Sequence, residues 1–212
     1  MDTGPWLRGT GGGASYGPWS CARSVWWRGR CSPTRGCMLV AQCVQIRQQK
    51  WMEEYRPASD FLLMLIHEEI PLTGSPMAEA NLARLIELTA DADESNRDWA
   101  TMLLVQSGID TPEARAALRR AGDDPHVDTR CEALLGLAVL EPDFALPRVK
   151  TMLEHEQIWS ETIEAAALLA DKSLVPALEA LAQAWAGDDD RWFEQLLADA
   201  LHACRTGVPV EA

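Results

Sequence analysis

The sequence predicts an all-α chain, a short solenoid of paired helices, on three observations. Four alanines, Ala100, Ala133, Ala165 and Ala198, recur at spacings of 33, 32 and 33 residues. Leu104, Leu137 and Leu169 follow the first three by four residues, His202 holds that place after the fourth, and Arg97 and Arg130 precede the first two by three. Segments from Asp60 to Gly207 carry apolar residues at helical period, and none alternates at period 2 for long enough to make a strand. One helix pair of this length cannot shield its own apolar side. The pairs must therefore stack, and a small residue at a fixed place lets neighbouring helices approach at every layer.

The elements follow in order. Asp60 is expected to cap a short apolar helix, FLLMLIHEE, that ends at Ile70-Pro71. Ser75-Pro76 starts the next, with serine as N-cap and proline at the first helical position; it carries Leu82, Leu85, Ile86 and Leu88. Asp91-Ala92-Asp93 is the turn into a helix from Ser95 to Gln106. Thr111-Pro112 repeats the cap-then-proline start, and Ala114, Ala117, Leu118 and Ala121 form one stripe. The turn Gly122 to Pro125 leads to a helix with Val127, Cys131, Leu134 and Ala138 on one face. Asp143 and Ser173 are expected to open two further helices, with Pro147 and Pro176 near their starts, where a missing N–H costs little. The last helix, with Asp188-Asp189-Asp190 as its N-terminal cap, holds Phe193, Leu197, Ala200, Leu201 and Cys204.

Composition divides the chain near residue 51. Residues 1–50 hold seven of the nineteen Lys and Arg but only one of the thirty-two Asp and Glu, so the rest is strongly acidic within a net charge of −13. Nucleic-acid binding needs clustered Lys and Arg, which such a body lacks; a basic protein partner suits it better. Residues 1–51, rich in Gly, Arg, Trp, Ser and Cys without periodicity, are expected to be a disordered leader or to precede a true start at Met38 or Met52. Residues 52–75 read as an N-terminal capping helix and 76–207 as the repeat domain. With no secretory h-region and no apolar stretch of membrane-spanning length, the expected location is cytoplasmic. Cys131, on an apolar helical face, is expected to be a buried free thiol.

DADESNRDWATMLL (91–104) and DDPHVDTRCEALLGL (123–137) share an Asp turn followed by Arg-x-x-Ala-x-x-x-Leu. That unit resembles the HEAT-like repeat of phycobilisome lyases and of many bacterial HEAT-repeat proteins, over about residues 76–205. IEAAALLADKSLVPALEAL (163–181) looks like that family's join between units. The resemblance implies a right-handed α-α superhelix of about four to five helix pairs. It also implies that Arg97 and Arg130 brace the turn against the next repeat, while Thr162 and Gln195 break the series in the later units. The last repeats resemble HEAT-repeat proteins encoded beside Rhs-type toxins, which implies an adaptor or toxin-neutralising role.

No reactive constellation is legible. His67-Glu68 and His155-Glu156 lack the second histidine that a zinc helix needs. The histidines fall in different units and read as solvent-facing or locally bonded. Cys21, Cys31, Cys37 and Cys43 contain no Cys-x-x-Cys pair, and the Gly11-Gly12-Gly13 run follows no strand. The expectation is therefore a non-enzymatic protein with no catalytic residue, cofactor or metal. The alternatives are a lyase or chaperone of bilin-lyase type, or a HEAT-like DNA glycosylase. The latter has aromatics to offer (Trp99, Trp159, Trp185, Trp192) but is opposed by the charge. Second helices of a stack line its inner side, so the residue before each ladder alanine (Trp99, Glu132, Glu164) recurs layer by layer. Three residues earlier lie Asn96, Thr129 and Glu161, with Glu194 continuing that row. Together these seven are expected to form an exposed acidic strip with one aromatic, fit for a basic helical or extended polypeptide.

Overall fold

The chain divides into two units, residues 1–48 and 49–212. A computed structural model describes residues 56–155, 158–186 and 191–210, all within the second. The expected leader, its four cysteines and the Asp188-Asp189-Asp190 cap lie outside the described residues. Among the described residues the chain is wholly helical: α1 (Asp60–Ile66), α2 (Pro76–Leu88), α3 (Glu94–Gln106), α4 (Pro112–Ala121), α5 (Val127–Leu140), α6 (Pro142–Leu153), α7 (Ser160–Leu169), α8 (Val175–Ala184) and α9 (Arg191–Thr206). A 3-10 turn, Lys172–Leu174, precedes α8. The pairs α2/α3, α4/α5, α6/α7 and α8/α9 stack so that α3, α5, α7 and α9 pack successively. The other helices lie against them, and α1 closes the α3 end. This is the solenoid-like architecture expected.

Local chemistry sets the helix starts. The hydroxyls of Ser75 and Thr111 accept from the N–H groups of Ala78 and Ala114, both at 3.1 Å, and a proline opens each helix. Asp93 caps α3 by accepting from Ser95 N at 2.9 Å and Asn96 N at 3.1 Å. Asp171 accepts from Ser173 N at 2.7 Å, so it caps the 3-10 turn, where Ser173 was expected to begin a helix. Three further expectations are corrected. Asp60 is the first residue of α1 and not its cap; Ser59 precedes it without a side-chain bond. Pro142, not Asp143, opens α6, which leaves Pro147 in the helix interior. There its missing N–H leaves the Asp143 carbonyl without the usual i to i−4 donor. Finally, α1 ends at Ile66, four residues short of the expected stop. Glu69 N donates to Met64 O at 2.9 Å and Glu68 N to Leu65 O at 3.0 Å, with Glu68 at φ 57°. That is a Schellman stop carrying glutamate where glycine is usual.

Ala100, Ala133 and Ala165 have no exposed surface, so the small-residue ladder holds through three layers. Ala198 is exposed, and Ala200 takes the buried place. The reason is rotational. The apolar stripe of α9 runs Phe193, Leu197, Ala200 and Cys204, and two residues along a helix turn the side chain to the opposite face. Leu104 and Leu137 sit deep in the core, while Leu169 is half-buried. α3 approaches α5 closely at Gly136. A Cβ there would lie 2.6 Å from Val105 Cγ2 of α3, so only glycine fits without a shift. The segment Cys131 to Ala138 is buried throughout, which makes α5 the centre of the stack.

Candidate protein-interaction face

Two homologous turns build the edge of the stack. In the first, Asp91 Oδ1 accepts from Asp93 N at 2.8 Å. In the second, Asp124 Oδ1 accepts from His126 N at 2.8 Å. Arg97 then reaches back to the carbonyls of Asp91 and Ala92 at 3.0 and 3.2 Å. Arg130 does the same to Asp124 and Pro125, the latter at 2.9 Å. Arg97 also grips the Asp124 carboxylate of the next layer with two donors, at 2.9 and 3.2 Å. The bond to Asp124 holds the Arg97 guanidinium above its ordinary pKa, and both side chains are largely shielded from water. The bracing of one turn against the next repeat is thus a geometric fact for this pair.

The expected strip is corrected in part. Asn96, Thr129 and Glu161 are buried. Each stands four residues before a ladder alanine, on the same side of its helix, and therefore points at the neighbouring layer and not at solvent. Asn96 is structural: its Oδ1 accepts from Ser59 N at 2.9 Å and its Nδ2 donates to Asp91 at 3.3 Å. Thr129 Oγ1 lies 3.0 Å from His126 Nδ1, and Glu161 accepts from the Ser160 hydroxyl at 3.0 Å. Glu194 is exposed, because α9 is turned relative to the other inner helices. In the column before the alanines Trp99 and Glu164 are half-buried, and Glu132 is buried, which corrects the expected exposure of that residue too.

The register also locates a residue that sequence reasoning missed. Asp98 has no exposed surface, yet its equivalents one and two layers on are Cys131 and Ile163, which occupy an apolar column. Aligning the three segments column by column would have singled it out. Cys131 is a buried free thiol, as expected. Burial, then the nearby Glu161 carboxylate, raises its pKa, and its sulfur lies 3.5 Å from Thr162 Oγ1. Burial pushes Cys204 up to about 11, and its thiol donates to Ala166 O at 3.3 Å. Trp185 is half-buried and packs on Phe193, with ring centroids 4.6 Å apart. His67, His155 and His202 are exposed, while His126 is bonded within its turn. Among the described residues no group of three His, Cys, Asp or Glu side chains stands close enough to hold a metal ion, and no helix is long and apolar enough to cross a membrane.

An open groove of about 350 Å³ lies at the α1 end, between the α1–α2 loop and the C-terminal end of α3. Its apolar lining includes Leu65, Ile70, Leu72, Leu103 and Ile109, with Glu68 among the polar residues beside them.

No family model matches the chain. Protein YibA of Escherichia coli K12 is 27% identical over 103 residues, which is 49% of this chain and 37% of that protein; YibA of Escherichia coli O157:H7 matches equally. The match therefore spans little more than a third of those relatives' length. The X-ray structure of Escherichia coli YibA is similar with a TM-score of 0.51 at 20% identity, over 87% of this chain and 69% of that one. What that likeness supports is the shared helical fold.

Proposed function

We infer that the protein is a non-enzymatic interaction scaffold that takes a basic polypeptide segment along the inner helices. One observation carries this reading: the position before each ladder alanine holds Trp99, Glu132 and Glu164 in consecutive layers of a chain with net charge −13. A half-buried aromatic anchor in one layer and a half-buried carboxylate two layers on suit a segment with an apolar residue and a spaced Lys or Arg, while Glu132, buried between them, adds its field rather than a direct contact. Partial burial matters here, since charge pairs shielded from water are screened less than surface pairs. The names of the relatives state no activity, so the reading rests on this arrangement alone.

The test begins with affinity capture on the full-length chain from its native cell. The captured polypeptide is then titrated against the parent and against a Glu132→Gln, Glu164→Lys variant. Glutamine is chosen at Glu132 because lysine at a buried site would compromise folding. The reading expects binding about tenfold weaker or worse, with a flatter salt dependence. Unchanged affinity in a variant of unchanged circular dichroism would remove the inner column as the interface.

A further inference from the structure

We propose that the groove between the α1–α2 loop and the end of α3 binds a short extended peptide in which an apolar side chain neighbours a lysine or arginine. Both walls are pinned. Asn81 Nδ2 donates to Pro71 O at 2.8 Å on one side, and Ile109 N donates to Ser107 Oγ at 3.2 Å on the other. The space between them stands at the small end of ligand-site volumes and suits one or two side chains rather than a helix. Its aliphatic lining selects an apolar residue.

The choice of a cationic neighbour comes from Glu68. This residue lines the groove, and Glu69 beside it is exposed, so the rim is negative. Glu68 also occupies a left-handed backbone position (φ 57°) at the helix stop, where glycine avoids the Cβ penalty. Glycine would therefore serve the turn better; glutamate adds a carboxylate at the mouth of an apolar site. An occupant must satisfy both features, which excludes acidic and purely polar segments. Leu103 lies four residues from Trp99, on the same side of α3, so the groove continues one edge of the inner column. The proposal does not depend on that column binding anything.

The test uses amide chemical shifts of the full-length chain titrated with three blocked tripeptides: Leu-Lys-Leu, Leu-Glu-Leu and Gly-Lys-Gly. Leu-Lys-Leu is expected to shift amides within residues 65–73 and 103–109 at millimolar concentration. Leu-Glu-Leu should bind about twofold to fivefold more weakly, the range that one exposed ion pair supplies, and Gly-Lys-Gly about tenfold more weakly or worse, because it offers the aliphatic lining no side chain to bury. Glu68→Gly should hold or raise the melting temperature while weakening Leu-Lys-Leu by a similar factor. A purely structural role for Glu68 would move the melting temperature and leave peptide affinity alone. Equal binding of Leu-Lys-Leu and Leu-Glu-Leu, shifts confined to other regions, no binding, or an unaltered affinity in Glu68→Gly would each overturn the proposal. None of these results bears on the inner-column variant described above.

Discussion

Replacing Gly136 by alanine tests the close packing of α5 against α3. The new Cβ would stand 2.6 Å from Val105 Cγ2 and 3.1 Å from Cγ1, against about 3.5–4.0 Å for an unstrained carbon contact. Val105 cannot rotate away cheaply, since a valine in a helix has one strongly favoured rotamer. Overpacking of this kind costs about 1–3 kcal/mol. Opposing it, alanine is about 1 kcal/mol better than glycine inside a helix. The balance is a destabilisation of about 1 kcal/mol, read as a fall of about half a molar in the urea midpoint for a slope near 2 kcal/mol/M. Val105→Ala removes both offending methyl groups, so the double variant should be more stable than the two single losses added together, by about 1 kcal/mol or more. Urea unfolding followed at 222 nm measures all four proteins. Additivity within about 0.3 kcal/mol, or a Gly136→Ala protein more stable than the parent, would refute the close α3–α5 approach.

Other outcomes follow from the same structure. Arg97→Ala should cost about 2–3 kcal/mol, because it strips a shielded carboxylate of two donors and leaves two turn carbonyls unbonded. Arg130→Ala, which loses carbonyl bonds only, should cost about 1 kcal/mol; the same urea experiment ranks them. Cys131 and Cys204 should resist iodoacetamide at pH 8 in the native chain and react fully in urea, as peptide mass mapping would reveal; rapid native labelling of Cys131 would contradict its burial. On the acid side, Asp93, Asp123 and Asp171 are held below the ordinary value of 3.8, chiefly by Ser95, Arg148 and Ser173 respectively. A depressed folded pKa stabilises above that value, so melting temperature should fall as pH drops through 3.8 and below. A raised thiol pKa works the other way: the contribution of Cys204 is whole below about 9 and is lost as pH climbs towards about 11. A melting temperature flat from pH 5 to 2 would contradict the acid-side reasoning.

Local signals proved the most legible in the sequence. Ser75-Pro76 and Thr111-Pro112 declare helix starts because cap and proline act within four residues. Arg97 and Arg130 declare the repeat because their partners are turn carbonyls five and six residues back. What required coordinates was rotation about a helix axis. The period points to Ala198, yet α9 is turned so that Ala200 faces the core. The same geometry misplaced Asn96, Thr129 and Glu161, whose spacing to the ladder alanines in fact puts them between layers. The end of α1 was hidden for another reason: a Schellman stop normally announces itself with glycine, and here glutamate holds the left-handed position. Asp98 was readable only by comparing columns, since nothing in its own neighbourhood marks it as buried.

The layered stack itself is tested most directly by native-state amide hydrogen exchange, helix by helix. With α3 and α7 packed on either side and α4 and α6 against it, α5 should exchange slowest, with free energies close to that of global unfolding, while α1, only seven residues long and packed on α3, should exchange fastest. An α5 that exchanged as readily as α1 would contradict the stack.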